Sequence, residues 1–145
     1  MSESHPVSPL WDQARQQLCQ IEPQLSELEP GGSLAMNLGA DEWLLEITPD
    51  GRLVCQAGMA MEDVTSLLST GTCEDLGNDE LAKQAKAVLN PIVAKRRRLL
   101  LASGFEETTE MNEEYVAVTF HRAVAFDRLE DVTKLLRWCQ QQFAQ

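Results

Sequence analysis

The sequence is poor in the residues that chemistry uses most. Its two histidines, His5 and His121, lie far apart, and neither belongs to a His-x-x-His pair or stands beside a recognisable nucleophile. The four cysteines, Cys19, Cys55, Cys73 and Cys139, are scattered, without the close pairs that a zinc or redox centre needs. Free thiols are the expectation, with two disulfides as the alternative open to a secreted chain. No Walker loop, glycine-rich dinucleotide fingerprint or Gly-x-Ser-x-Gly elbow is present. The residues therefore predict no catalytic group, no metal and no cofactor. Long apolar runs are missing as well. No stretch nears the roughly 20 residues that span a bilayer, and the N-terminus has no basic flank followed by an apolar core. A cytoplasmic protein that avoids membranes is expected.

Positive charge is scarce: 12 Lys and Arg stand against 23 Asp and Glu, for a net −11. The imbalance is uneven. Residues 1–80 carry 15 acids and two bases, residues 81–104 six bases and no acid, and residues 105–145 eight acids and four bases. Most of the surface should thus repel nucleic acid and anionic lipid. What the chain does have is apolar content, 43% over 145 residues, enough for one core, and no tract of low complexity. One domain over residues 9–145 is predicted, after a disordered tail, MSESHPVS, at residues 1–8.

Trp11, Ala14, Leu18, Ile21, Leu25 and Leu28 recur at steps of three and four, the spacing of one helix face. Pro23 should kink or divide this helix, and Pro30-Gly31-Gly32 should end it. Leu34, Met36 and Leu38 then alternate as in a half-buried strand, followed by a turn at Gly39-Ala40-Asp41. The run EWLLEIT places Trp43, Leu45 and Ile47 on one face, and Pro49-Asp50-Gly51 turns into RLVCQAG, completing a three-stranded meander. A short helix is predicted over Met59 to Thr70, and a loop over residues 71–78.

Asn78 or Asp79 can cap a central helix starting near Glu80, with Leu81, Ala85, Val88, Leu89 and Ile92 on its apolar face. Pro91 either kinks that helix or opens a second one, and both readings end near Gly104. Phe105 to Glu110 and Tyr115 to His121 read as a hairpin. Asp127, with Glu130 three residues on, is the expected cap of a last helix whose stripe is Leu129, Val132, Leu136, Cys139 and Phe143. The fold class is α+β: an antiparallel sheet, meander plus hairpin, flanked by N-terminal, central and C-terminal helices.

Three clusters invite a functional reading. His121 at a strand end has no flanking partner, so a surface role is favoured over a base. Glu106, Glu107, Glu110, Glu113 and Glu114 lack the regular spacing and glycine of a calcium loop, which makes them a solvated hairpin tip. Lys95, Arg96, Arg97 and Arg98 suit the negative end of a helix dipole first, a docking point for an acidic segment second, and nucleic acid last.

In element order over residues 9–143 the chain resembles the small acidic effector chaperones of type III secretion systems, and a related sensory-transduction-regulator-like family. The residues that carry the resemblance are the meander, EWLLEITPDGRLVCQAG, and the closing stretch YVAVTFHRAVAFDRLEDVTKLLRWCQQQF. The resemblance implies a noncatalytic homodimer that binds an extended segment of a secreted protein client without ATP. It makes Leu34, Met36, Leu38, Trp43 and Leu45 candidates for client contact, and Leu89, Ile92, Val93 and Leu100 for the dimer contact. A small regulatory protein that binds a signalling partner is the alternative. An enzyme with a polar site around His121 or Asp127 comes third.

Overall fold

A computed structural model of the chain describes residues 8–38, 43–63, 78–112 and 114–143, with the side chains of residues 78–82 left aside. The elements are α1 (Trp11–Ile21), β1 (Ser26–Glu27), β2 (Leu34–Leu38), β3 (Trp43–Thr48), β4 (Arg52–Ala60), α2 (Asn78–Ala102), β5 (Glu106–Met111), β6 (Tyr115–Ala123) and α3 (Leu129–Phe143). The strands form one antiparallel sheet in the order β1-β2-β3-β4-β6-β5. The α+β class, with a meander and a hairpin among helices, is as the sequence predicts. The chain divides into two compact units, Met1–Cys55 with His121–Gln145, and Gln56–Phe120.

In the first unit α1 ends sooner than its apolar stripe. Glu22 turns extended, and Pro23 has no N–H to carry the helix on. Of the six stripe residues, Trp11, Ala14 and Leu18 are buried on the helix and Leu25 is buried beyond it, while Ile21 and Leu28 are exposed. The stripe beyond Ile21 thus belongs to no helix, and residues 26 and 27 pair with β2 instead. Trp11 anchors α1 by donating its indole N–H to the Gly31 carbonyl (3.0 Å) and by packing at 5.2 Å from the Phe126 ring. The meander buries Leu34, Met36 and Leu38, then Trp43, Leu45 and Ile47, then Leu53 and Cys55. Helix α3 meets that face: Phe143 lies 4.9 Å from the Trp43 ring, and the Cys139 sulfur 3.8 Å from that of Cys55.

Gly51 closes the β3–β4 turn with a φ of +94°, where a side chain would be strained, and an added Cβ would come within 2.9 Å of the Val124 carbonyl. The last helix starts later than predicted. Asp127 lies inside a single 3-10 turn, Phe126–Arg128, so it is not the N-cap, and α3 opens at Leu129. Its stripe holds: Val132, Leu136, Cys139 and Phe143 are buried, with Leu129 half-buried. Ser8, assigned from sequence to the loose tail, donates its N–H to the Pro49 carbonyl (2.9 Å).

In the second unit strand β4 continues to Ala60, past the point where a helix was expected to begin, and three helical residues follow from Met61. The rest of that predicted helix, the loop at 71–77 and the turn at 39–41 fall outside the described residues. Helix α2 is one continuous helix with Pro91 inside it, beginning at Asn78 rather than after it. Ala85, Leu89, Val93 and Leu100 form its buried face, while Val88 and Ile92 are only half-buried. Its end is a Schellman motif: Gly104, at φ +93°, donates to Leu101 and Phe105 donates to Leu100, joining two buried apolar side chains across the turn.

Candidate functional site

The side chains singled out for client contact belong to the core of the first unit. Leu34, Met36, Leu38, Trp43 and Leu45 are between 0% and 8% exposed. Met36 receives the Gln140 amide at 3.6 Å and Trp43 meets the Phe143 ring, so two of the five pack against α3. Of the dimer candidates, Leu89, Val93 and Leu100 are buried within the single chain, and only Ile92 is half-exposed. Alternation and helical spacing identify the faces that avoid water; they do not say whether the chain's own helices or another molecule covers them.

The accessible binding features lie in the second unit. Strand β5 ends the sheet, with β6 as its single neighbour among the described residues. Asn112 donates to the Tyr115 carbonyl at 2.9 Å, closing the hairpin in a hydrogen-bonded pair. The two-residue alternation of an antiparallel ladder then turns the N–H groups of Glu107, Thr109 and Met111 away from β6, onto the free edge. Glu106, Thr108, Thr109 and Glu110 are exposed along this strand. Thr108 is tied by its hydroxyl to the buried Thr119 at 2.8 Å. Charged side chains of this kind keep a free edge from pairing indiscriminately.

Beside this edge, α2 borders a groove of about 350 Å³ lined by Lys83, Lys86, Asn90, Arg97, Val93 and Val118. Arg97 is held in place: its Nε and Nη2 donate to the two carboxylate oxygens of Glu107 at 2.9 and 3.0 Å, and Nη1 donates to the Asn90 side-chain carbonyl at 3.1 Å. The Glu107 hydrogen bonds push the guanidinium pKa up from an already high value, which fixes its charge. Lys83 and Lys86 are exposed and have no carboxylate within salt-bridge distance among the described residues. The four-residue basic run does not act as a block. Arg97 turns into the groove while Lys95 and Arg98 face solvent and Arg96 is half-buried, as a helical rotation of 100° per residue requires.

The residues of the enzyme alternative line neither the α2 groove nor a second cavity in the first unit. His121 is half-buried and Asp127 exposed, and neither lines the cavity of about 190 Å³ bordered by Arg122, Val124, Arg128, Asp131, Val132 and Leu135. Cys55 and Cys139 form a buried thiol pair; the hydrogen bond between them, then burial, push the Cys55 pKa well up, toward the inert thiol. Among the described residues no three His, Cys, Asp or Glu side chains gather as a metal would need, and no helix is long and apolar enough to cross a membrane.

Sequence reasoning missed two features. One is the groove, whose polar residues Lys83, Lys86, Asn90 and Arg97 stand at steps of three, four and seven, the spacing of one helix face. The other is a buried carboxylate, Glu22, which accepts from Arg137 Nη1 and Gln140 Nε2, both at 2.7 Å, and from the Gln24 N–H at 2.9 Å. Its side-chain partners, Arg137 and Gln140, lie more than a hundred residues away in sequence, so no local pattern marks them. No family model matches the chain, and no curated protein or solved structure matches it either.

Proposed function

We propose that this chain is a noncatalytic protein-binding chaperone or adaptor of the cytoplasm, resembling the type III secretion chaperones, that holds an extended segment of a protein client. The observation that carries the reading is the β5 edge: outward N–H groups in a row, on a strand with one neighbour among the described residues, are what an extended client segment would pair with. Further support comes from the order of elements, helix, meander, central helix, hairpin and closing helix, in which the resemblance consists. The client contact moves accordingly from the buried side chains of β2 and β3 to the backbone of β5. A homodimer belongs to the same reading. Leu99 and Leu101, 37% and 44% exposed at the end of α2, together with the half-buried Ile92, are the apolar residues left for that contact, in place of Leu89, Val93 and Leu100.

Affinity capture from the native cells with the tagged protein and a Thr109→Pro variant tests the client site. Proline there removes an outward donor and leaves the pairing with β6 intact. The expected result is one stoichiometric protein, retained through an extended segment and lost with the variant while the circular dichroism spectrum is unchanged. Equal capture by both forms would overturn the edge as the client site, and a signalling protein as the captured partner would favour the regulatory alternative.

A further inference from the structure

The groove on α2 has a chemistry of its own, independent of the β5 edge. The six bases of residues 81–104 stand in a chain whose other segments are net acidic, and three of them, Lys83, Lys86 and Arg97, line this one groove. From Lys83 to Arg97 the helix rises about 21 Å, which matches about six residues of extended peptide. The three cations are not equivalent. Arg97 is already paired with Glu107 and held by Asn90, so it forms a fixed wall, whereas Lys83 and Lys86 present their charge with no partner among the described residues. Between them the floor is apolar, with the buried side chains of Val93 and Val118.

We propose that this groove docks an acidic segment of a partner protein, an extended stretch whose carboxylates meet Lys83 and Lys86 along the exposed side of α2. Charge complementarity decides the occupant: carboxylates are the ligand attracted by two ammonium groups that have no carboxylate partner among the described residues, beside a fixed guanidinium. Nucleic acid fits it poorly. No aromatic side chain lines the groove for base stacking, and a net charge of −11 repels a long polyanion over most of the surface. An extended segment suits the groove because its cations follow one another along the helix, from Lys83 through Lys86 to Arg97.

The probe is a fluorescein-labelled oligoglutamate, followed by fluorescence anisotropy against the full chain. Binding is expected to weaken as salt is raised, and the double variant Lys83→Glu/Lys86→Glu should bind roughly tenfold more weakly or not at all, since each exposed ion pair is modest but reversal turns attraction into repulsion. Lys134→Glu, which reverses an exposed lysine on α3 already paired with Glu130, should bind as the wild type does. Equal losses in both variants, or no binding by the wild type, would overturn the proposal. So would tighter binding of an oligothymidylate at the same lysines. A dimer that falls to a monomer by light scattering in the double variant, with oligoglutamate binding unchanged, would instead assign the lysines to a contact between copies. The Thr109→Pro variant retains oligoglutamate binding if groove and edge are separate sites, so the failure of either leaves the other standing.

Discussion

Each of the two units contains an arginine that grips a glutamate, and the two pairs do opposite things. In the first unit Arg137 reaches Glu22, whose side chain is only 8% exposed, and Gln140 and the Gln24 N–H complete the carboxylate's partners. Arg137 also donates to the Ile21 carbonyl at 2.8 Å, so the pair satisfies the end of α1 as well as the buried charge. In the second unit Arg97 and Glu107 are 33% and 21% exposed, and they form the wall of a groove. The first pair closes a core over the meander. The second organises a surface and leaves neighbouring cations unspent. The difference is one of desolvation: a carboxylate taken out of water must have every lone pair met, whereas one at the surface can return to water when its partner leaves.

The comparison breaks first if the meander face is not core. Leu45→Asp should cost about 4 kcal/mol or more, because a charge replaces a leucine with no exposed surface, and the variant should lose its cooperative urea transition. A folded Leu45→Asp protein that merely binds less client would return these residues to the client contact that the resemblance implies. The meander and the central helix were legible because each has a period that water imposes on it, and the hairpin because Tyr115, Val116, Val118 and Phe120 favour a strand. The end of α1 at Ile21 and the late start of α3 were less so, since a cap-like Asp127 before Glu130 fits a capping box equally well whether or not the chain first makes a 3-10 turn. Pro91 was ambiguous for a related reason: the proline ring is compatible with a helix start and with a helix interior whose freed carbonyl faces solvent, and only the surrounding packing chooses.

Glu22 sharpens the comparison next. Its partners lower its pKa below the ordinary 4.5, the Gln140 hydrogen bond contributing most, then the Gln24 N–H and Arg137 against the opposing effect of burial. Glu22→Ala should cost about 2–3 kcal/mol at neutral pH, measured as a shift of the urea midpoint at constant slope. A carboxylate depressed in the folded state stabilises above its unfolded pKa and loses that stabilisation as pH falls through the folded value. The gap between wild type and Glu22→Ala should therefore be full above pH 4.5 and close below it. A gap that persists unchanged in acid would mean that Glu22 acts through packing alone. The clasp was invisible in the sequence because its members are joined only by the folded chain, whereas the groove was visible in part, as a basic run whose helical rotation scatters it over several directions.

The smallest effect expected is at Arg97. Its bidentate geometry favours the pair, but both partners keep contact with water, so the coupling between Arg97→Ala and Glu107→Ala in a double-mutant cycle should be about 1 kcal/mol or less and should shrink in salt. The single variants should differ in what they expose. Arg97→Ala leaves Asn90 without the guanidinium that it accepts from and removes a wall of the groove, while Glu107→Ala frees a third cation beside Lys83 and Lys86. Glu107→Ala should thus bind oligoglutamate more tightly than the wild type even as it loses a little stability. A coupling as large as that expected of Glu22, insensitive to salt, would place Arg97 and Glu107 in the same class as the buried clasp, and the second unit would then have a sealed core where an accessible groove is now assigned.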